Sequence, residues 1–241
     1  MSSPRSSALP PKYAPWLTLL RDDPAHLRSR PAPSFWALVP YHVGQITETC
    51  CSLATATMLI NAARGSAHLH AGEKLIRQKD LLAAVNDPDW TFACTDPEGQ
   101  GASLREMAPI MARAYSLFGV GAMVELVQIT DAAAAADDFR QALAAIELSA
   151  ATQLALNFDG AIVYGAADYG HFSPAAAYDE RRDRLLVLDV DCDWFEPYWV
   201  PVGVMLNAMA TASRKDGTPR GYLKVTLGAA APSRPLTPAA A

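Results

Sequence analysis

A glutamine, a cysteine, a histidine and a carboxylate follow one another in this chain in an order that suits thiol acyl transfer. Gln45 precedes Cys51 by six residues, His171 lies in Gly170-His171-Phe172-Ser173-Pro174, and Asp189 lies in Leu188-Asp189-Val190. The chemistry needs a thiolate, a base to make it, a group to orient the base, and a hydrogen-bond donor where an oxyanion forms. All four residue types are present.

Each position has a functional and a plainer reading. The run Cys51 to Arg64 has small and apolar residues at helical spacing, no proline, and Gly65 beyond it, which predicts a helix with Cys51 in its first turn. A thiol at a helix N-terminus is biased toward thiolate by unpaired backbone N–H groups and the helix dipole. The plainer reading is a small buried cysteine. Gln45 could place its amide beside the Cys51 backbone N–H as an oxyanion donor, although a lone glutamine is more often a surface residue. His171, at the start of a strand, can take the thiol proton and return it to the leaving amine. Asp189, on the next antiparallel strand, can lie almost opposite His171 and fix its tautomer, with Asp191 and Asp193 competing for that role.

These residues need elements to position them. Residues 1–33 carry seven prolines and read as a Pro/Ser-rich wrapping arm or leader, with periodic structure from about Phe35. Helices are predicted over Cys51–Arg64, Glu73–Val85, from a Ser103/Glu106 capping box with Pro109 inside, and over Asp131–Leu148. Strands are predicted over Gln153–Phe158, His171–Tyr178, Leu185–Val190, Trp199–Val202 and Tyr222–Leu227, with a hairpin turn at Asp179 to Asp183 and a helix at about Val204–Thr211. This order predicts an α+β fold, a helical front half packed on a mostly antiparallel sheet. The catalytic unit spans 34–227, and 228–241 is a low-complexity tail.

Composition narrows the function. Hydrophobic residues make up 51% of the 241, enough for a large single core, and the net charge of −5 with scattered Lys and Arg argues against nucleic acid. The longest apolar run, Leu117 to Val124, is too short to span a bilayer, and the N-terminus has no secretory apolar run, so a cytoplasmic protein is expected. Four irregularly placed cysteines do not make a disulfide framework. His68-Leu69-His70 is the sole metal-like spacing and reads better as a solvated loop, so no metal ligands are assigned. His42 and the Arg181-Arg182 pair read as structural and solvated residues, and Trp36, Trp194, Phe195, Tyr198 and Trp199 as core or groove-wall aromatics.

Gln45 with Cys51-Ser52-Leu53-Ala54-Thr55, Asp137-Asp138-Phe139-Arg140, Gly170-His171-Phe172-Ser173-Pro174, Leu188-Asp189-Val190, Trp199-Val200-Pro201 and Arg220-Gly221-Tyr222 form a collinear set. From roughly Phe35 to Leu227 it resembles the catalytic domain of phytochelatin synthases, closest to their short bacterial branch. The resemblance implies a papain-like cysteine peptidase fold and dipeptidyl transfer. In that reaction γ-glutamylcysteine from glutathione is held on Cys51, glycine leaves, and the acyl group passes to water or to a second glutathione. It implies Cys51 as nucleophile, His171 as base, Asp189 as orienting acid and Gln45 as oxyanion donor. Substrate contacts are expected from Gly170, Ser52 and Arg220, with Arg182 and Arg184 as other guanidinium candidates. No cofactor is expected for the chemistry, with Cd²⁺ or Zn²⁺ acting through the substrate thiolate, and a homodimer is suggested by the resemblance alone. The chain departs from the family pattern at Cys50 (Tyr or Phe), Ser52 (Gly) and Asp191-Cys192 (Ala-Arg). The alternatives are a papain-like hydrolase of a different peptide or amide, and a non-catalytic thiol-peptide or metal-binding module.

Overall fold

In the computed structural model the described residues are 12–66, 69, 72–165 and 169–228. The helices are α1 Ala25–Ser29, α2 Pro33–Leu38, α3 Cys51–Ser66, α4 Gln78–Val85, α5 Pro88–Thr95, α6 Leu104–Leu117, α7 Ala136–Leu148, α8 Gly160–Tyr164 and α9 Val202–Met209. The strands are β1 Thr18–Leu19, β2 Ala122–Gln128, β3 Thr152–Asp159, β4 Gly170–Asp179, β5 Arg184–Val187, β6 Tyr198–Pro201 and β7 Gly221–Leu227. They form one antiparallel sheet in the order β1-β6-β5-β4-β3-β7-β2, with every neighbouring pair antiparallel. The expected α+β class is what the chain adopts.

Alternation along the strands divides the interior in two. Ala155, Phe172, Ala176, Leu186, Trp199, Leu223 and Val225 pack with α2 to α6, and α3 lies buried at the centre of that layer. Leu154, Leu156, Phe158, Tyr178, Leu185, Val187, Tyr198, Val200 and Tyr222 face the opposite way and pack with α7, α8 and α9. The sheet is therefore covered on both faces. A bulge between Ala175 and Ala177 in β4 puts Ala176 and Ala177 together in the α3 layer.

Several boundaries differ from the sequence expectation, each for a local reason. The helix expected from Glu73 starts at Gln78, because Asn61 holds the Ile76 backbone on both sides, Nδ2 donating to Ile76 O at 2.8 Å and Oδ1 accepting from Ile76 N at 2.9 Å. The helix expected from Asp131 starts at Ala136, because Asp131 Oδ1 accepts from the N–H groups of Ala133 and Ala134 and makes a turn. Helix α6 has the capping box, with Ser103 N donating to Glu106 and Glu106 N to Ser103 Oγ, and Pro109 lies within it. Helix α5 and strand β2 were not anticipated. Strand β5 ends at Val187, so Asp189 lies beyond the strand on which it was expected.

Ordered elements begin before Phe35. Thr18 and Leu19 pair with Trp199 and Tyr198, Trp16 Nε1 donates to Val163 O at 2.9 Å, and Asp23 receives Arg182 and Arg184 at 2.8 Å each. Residues 1–11 of the arm, 229–241 of the tail, and His68 and His70 of the His-Leu-His motif lie outside the described residues. No helix among the described residues is long and apolar enough to cross a membrane.

Gly221 shows how tightly the sheet closes beside the site. Its φ is +150°, and a Cβ there would stand 2.0 Å from the carbonyl oxygen of Val127 on the neighbouring strand. Gly221→Ala is expected to lower stability by at least about 2 kcal/mol through backbone displacement in β7, read as a fall in the urea midpoint. A midpoint within error of the parent would show that β7 accommodates the methyl group.

Candidate active site

Cys51 is the first residue of α3, 7% exposed, where helix N–H groups lack intrahelical partners. His171 is the second residue of β4 and pairs in register with Phe158, so the imidazole stands at the sheet end near the start of α3. The two are neighbours: Cys51 is among the groups that raise the His171 pKa. His171 Nε2 lies 2.8 Å from Asp189 Oδ1 and 3.0 Å from Ser173 Oγ, which leaves Nδ1 as the ring nitrogen for the thiol.

Asp189 is fully buried and accepts from four groups. Oδ1 takes His171 Nε2 and Asp191 N at 2.8 and 2.9 Å, and Oδ2 takes the hydroxyls of Tyr164 and Tyr198 at 2.6 and 3.0 Å. Burial alone would raise its pKa, but the charge and hydrogen bond of His171, with the Tyr164 bond, hold it below the usual carboxylate range. Burial alone would lower the imidazole's pKa, but the charge and hydrogen bond of Asp189, helped by Cys51, raise it to about 10. Burial and the Asp189 charge push both tyrosines well above their ordinary value, so they remain donors.

Gln45 lies in the loop before α3. Its Nε2 donates to Glu48 O at 3.4 Å, and its Oε1 is buried without a partner. Cys51 opens onto a cavity of about 290 Å³ walled by Glu48, Asn157, Gly170, Asp191 and Arg220. Gly170 has a structural reason, because a Cβ there would meet Arg220 Nη2 at 3.0 Å. Arg220 is 2% exposed; its Nη1 is held by Thr211 Oγ1 and Ala212 O at 2.7 and 2.5 Å, leaving the Nε and Nη2 edge toward Gly170.

Other expected contacts are placed elsewhere. Ser52 is buried, accepts from Trp90 Nε1 at 3.1 Å and lies 3.9 Å from Cys94 Sγ; residue 52 follows Cys51 on the helix and turns into the core, so its side chain is not a substrate contact. Arg184 binds Asp23 and Asp179 and stacks on Trp199, and Arg182 binds Asp23, so both serve the wrapping segment. Asp191 does not orient His171, although it borders the cavity. His42 has partners the sequence did not reveal, Asp189 O at 2.7 Å and Cys192 Sγ at 3.6 Å. Tyr164 and Asn157 carry no sequence signal for the site, whereas Tyr198 reads as a core or groove-wall aromatic and Ser173 lies inside the Gly-His-Phe-Ser-Pro block. All four cysteines are free thiols, and no group of three or more His, Cys, Asp or Glu among the described residues is arranged to hold a metal ion.

The phytochelatin synthase family model matches residues 25–222. The chain belongs to this family. Its fold is accordingly papain-like. It is 29% identical over 203 residues to glutathione gamma-glutamylcysteinyltransferase 3 of Lotus japonicus, covering 83% of this chain and 39% of that protein. It is 25% identical over 191 residues to glutathione gamma-glutamylcysteinyltransferase of Schizosaccharomyces pombe, covering 79% and 42%. A shorter match, 39% identical over 64 residues, covers 27% of this chain and 13% of glutathione gamma-glutamylcysteinyltransferase 1 of Triticum aestivum. The phytochelatin synthase domain thus accounts for most of the chain, which spans about two fifths of the length of the first two relatives.

The paired shifts set a pH dependence. The raised imidazole contributes stability fully below its unfolded value of 6.5 and loses it as pH climbs through about 10. The lowered Asp189 contributes above 3.8 and loses its share in acid. The unfolding free energy of the parent over Asp189→Asn is therefore expected to be on the order of 3 kcal/mol near pH 6 and to shrink toward pH 10, by urea titration at each pH. A difference that stays flat from pH 6 to 10 would contradict the ion pair.

Proposed function

We propose that this protein is a cysteine-dependent acyl-transfer enzyme that cleaves the Cys-Gly bond of glutathione or a related thiol peptide. The observation that carries the reading is the 2.8 Å bond from His171 Nε2 to buried Asp189, with Cys51, at a helix N-terminus, near enough to raise the imidazole's pKa. The relatives' names, as glutathione gamma-glutamylcysteinyltransferases, support the substrate.

His171 works as an imidazolium that already holds the Cys51 proton, and the thiolate sulfur attacks the Cys-Gly carbonyl carbon. The oxyanion that forms is met by the Cys51 backbone N–H and by Gln45 Nε2, whose present bond to Glu48 O is long at 3.4 Å. The C–N bond breaks as His171 returns the proton to the departing glycine amine, leaving a γ-glutamylcysteinyl thioester. Water or the amine of a second peptide then attacks, gives a proton to His171, and releases the sulfur as thiolate. The Nε and Nη2 edge of Arg220 beside Gly170 receives a substrate carboxylate. A divalent ion such as Cd²⁺ or Zn²⁺ enters as a cap on the substrate thiol and has no step of its own. Four free thiols suit a reducing, cytoplasmic setting. Asp191-Cys192 in place of the family's Ala-Arg favours a second reading, in which a papain-like hydrolase acts on a different peptide or amide.

Incubation with glutathione, with and without Cd²⁺, should release glycine and leave a thioester adduct on Cys51 visible by mass spectrometry. Cys51→Ala should abolish release, and Gln45→Ala should lower kcat about 100-fold with little change in KM. Absence of glycine release by the parent protein under both conditions would remove glutathione as substrate and promote the second reading.

A further inference from the structure

Asp191 is a carboxylate short of hydrogen-bond donors in the cavity wall beside Cys51. It is 5% exposed, and the hydrogen bond it accepts comes from the Tyr169 hydroxyl at 3.4 Å. The charges that act on it are those of His171, Asp189 and Glu48, two of the three repulsive. Its own backbone is spent on structure, the N–H on Asp189 and the carbonyl on the amides of Trp194 and Phe195, so the side chain is held in place toward the cavity. A second group on the same wall lacks a donor: Asn157, 3% exposed, gives its Nδ2 to His171 O and leaves Oδ1 buried and unpartnered. A buried acceptor without a donor and a buried carboxylate with one long hydrogen bond both cost free energy that a ligand can return.

We propose that Asp191 is a specificity-determining residue that binds a protonated amine of the substrate, with Asn157 Oδ1 accepting a further N–H and Glu48 adding negative potential at the rim. This deepens the acyl-transfer reading and rests on it for the identity of the peptide. The two ends of the Tyr169-Gly170 corner then carry opposite signs, Asp191 against the Tyr169 hydroxyl and Arg220 against Gly170, which matches a zwitterion. Burial, Asp189 and Glu48 raise the Asp191 pKa against the lowering charge of His171, and an ammonium would add to the lowering side.

Binding separates this from the chemistry. Calorimetry on the Cys51→Ala protein, which cannot turn over, should show glutathione binding about tenfold or more tightly than N-acetylglutathione, which keeps both carboxylates but lacks the ammonium. Adding Asp191→Asn should weaken glutathione much more than the acetylated peptide, so that the preference falls to about twofold or less. Equal affinity of the two ligands for Cys51→Ala, absence of glutathione binding, or a preference that survives Asp191→Asn would each overturn the proposal. The comparison in Cys51→Ala alone decides against it without a change at Asp191, should the double variant fail to fold. Glycine release by the parent protein reports on the acyl-transfer reading independently: release without ammonium preference sinks only the role of Asp191, and preference without release sinks only the reaction.

Discussion

The buried carboxylate of Asp189 is the fixed point of this site. An ionised carboxylate withdrawn from water is tolerable only when its lone pairs are met by good donors. Here four donors arrive from four places: β4 through His171, α8 through Tyr164, β6 through Tyr198, and the chain's own next turn through Asp191 N. Tyr164 is itself stacked on Phe195 with ring centroids 3.9 Å apart, so the box around the carboxylate belongs to the core on the α7–α9 face of the sheet. The imidazole is thus aimed from one core toward a thiol anchored in the other. Position and ionisation of the imidazole are both consequences of that packing.

The loop before α3 is tied to the same segment. Gln45 N donates to Val190 O at 2.7 Å, so the oxyanion candidate hangs from the residue after Asp189. Gln78 Nε2 holds Gly44 O at 2.7 Å, Thr47 Oγ1 holds Cys94 O at 2.6 Å, and Cys50 Sγ accepts from the amides of Ile46 and Thr47 at 3.0 Å each. A small thiol at residue 50 fits this arrangement because it sits fully buried beneath the loop and takes two amides that otherwise lack partners. Movement of the segment after β5 would therefore disturb His171 and Gln45 together.

What was legible in the sequence was local. The helix from Cys51, the Ser103/Glu106 cap and the five principal strands rest on periodicity and capping chemistry between near neighbours. The early end of β5 was not, because Leu188 N leaves the ladder for Pro174 O and Val190 N turns to Ser173 Oγ, bonds between distant residues. Asp189 still reaches His171, since the turn after Val187 carries it there in place of strand register. Helix α5 escaped notice because its start is written in Asp87, which caps Trp90 N, and in Pro88, a residue that reads as a breaker until its position at the first helical turn is known. Ser52 was misplaced as a contact because adjacency to Cys51 in sequence means a rotation of about 100° around the helix.

Asp189 and Asp191 show why residue type alone could not separate an orienting acid from a ligand contact. The two are both buried and two residues apart, yet one is held below the ordinary carboxylate pKa and the other above it. The difference lies in their donors: Asp189 has two tyrosine hydroxyls, an amide and an imidazole, whereas Asp191 has a tyrosine hydroxyl at 3.4 Å. A carboxylate whose acceptors are filled by its own protein has a positional role and little capacity for a ligand. One left short of donors at a cavity wall keeps that capacity, and the protein's own electrostatics then favour an incoming cation over an incoming anion at that point. The same cavity presents the Nε and Nη2 edge of Arg220 at Gly170, so its wall carries a carboxylate short of donors and a guanidinium edge, one on each side of the Tyr169-Gly170 corner.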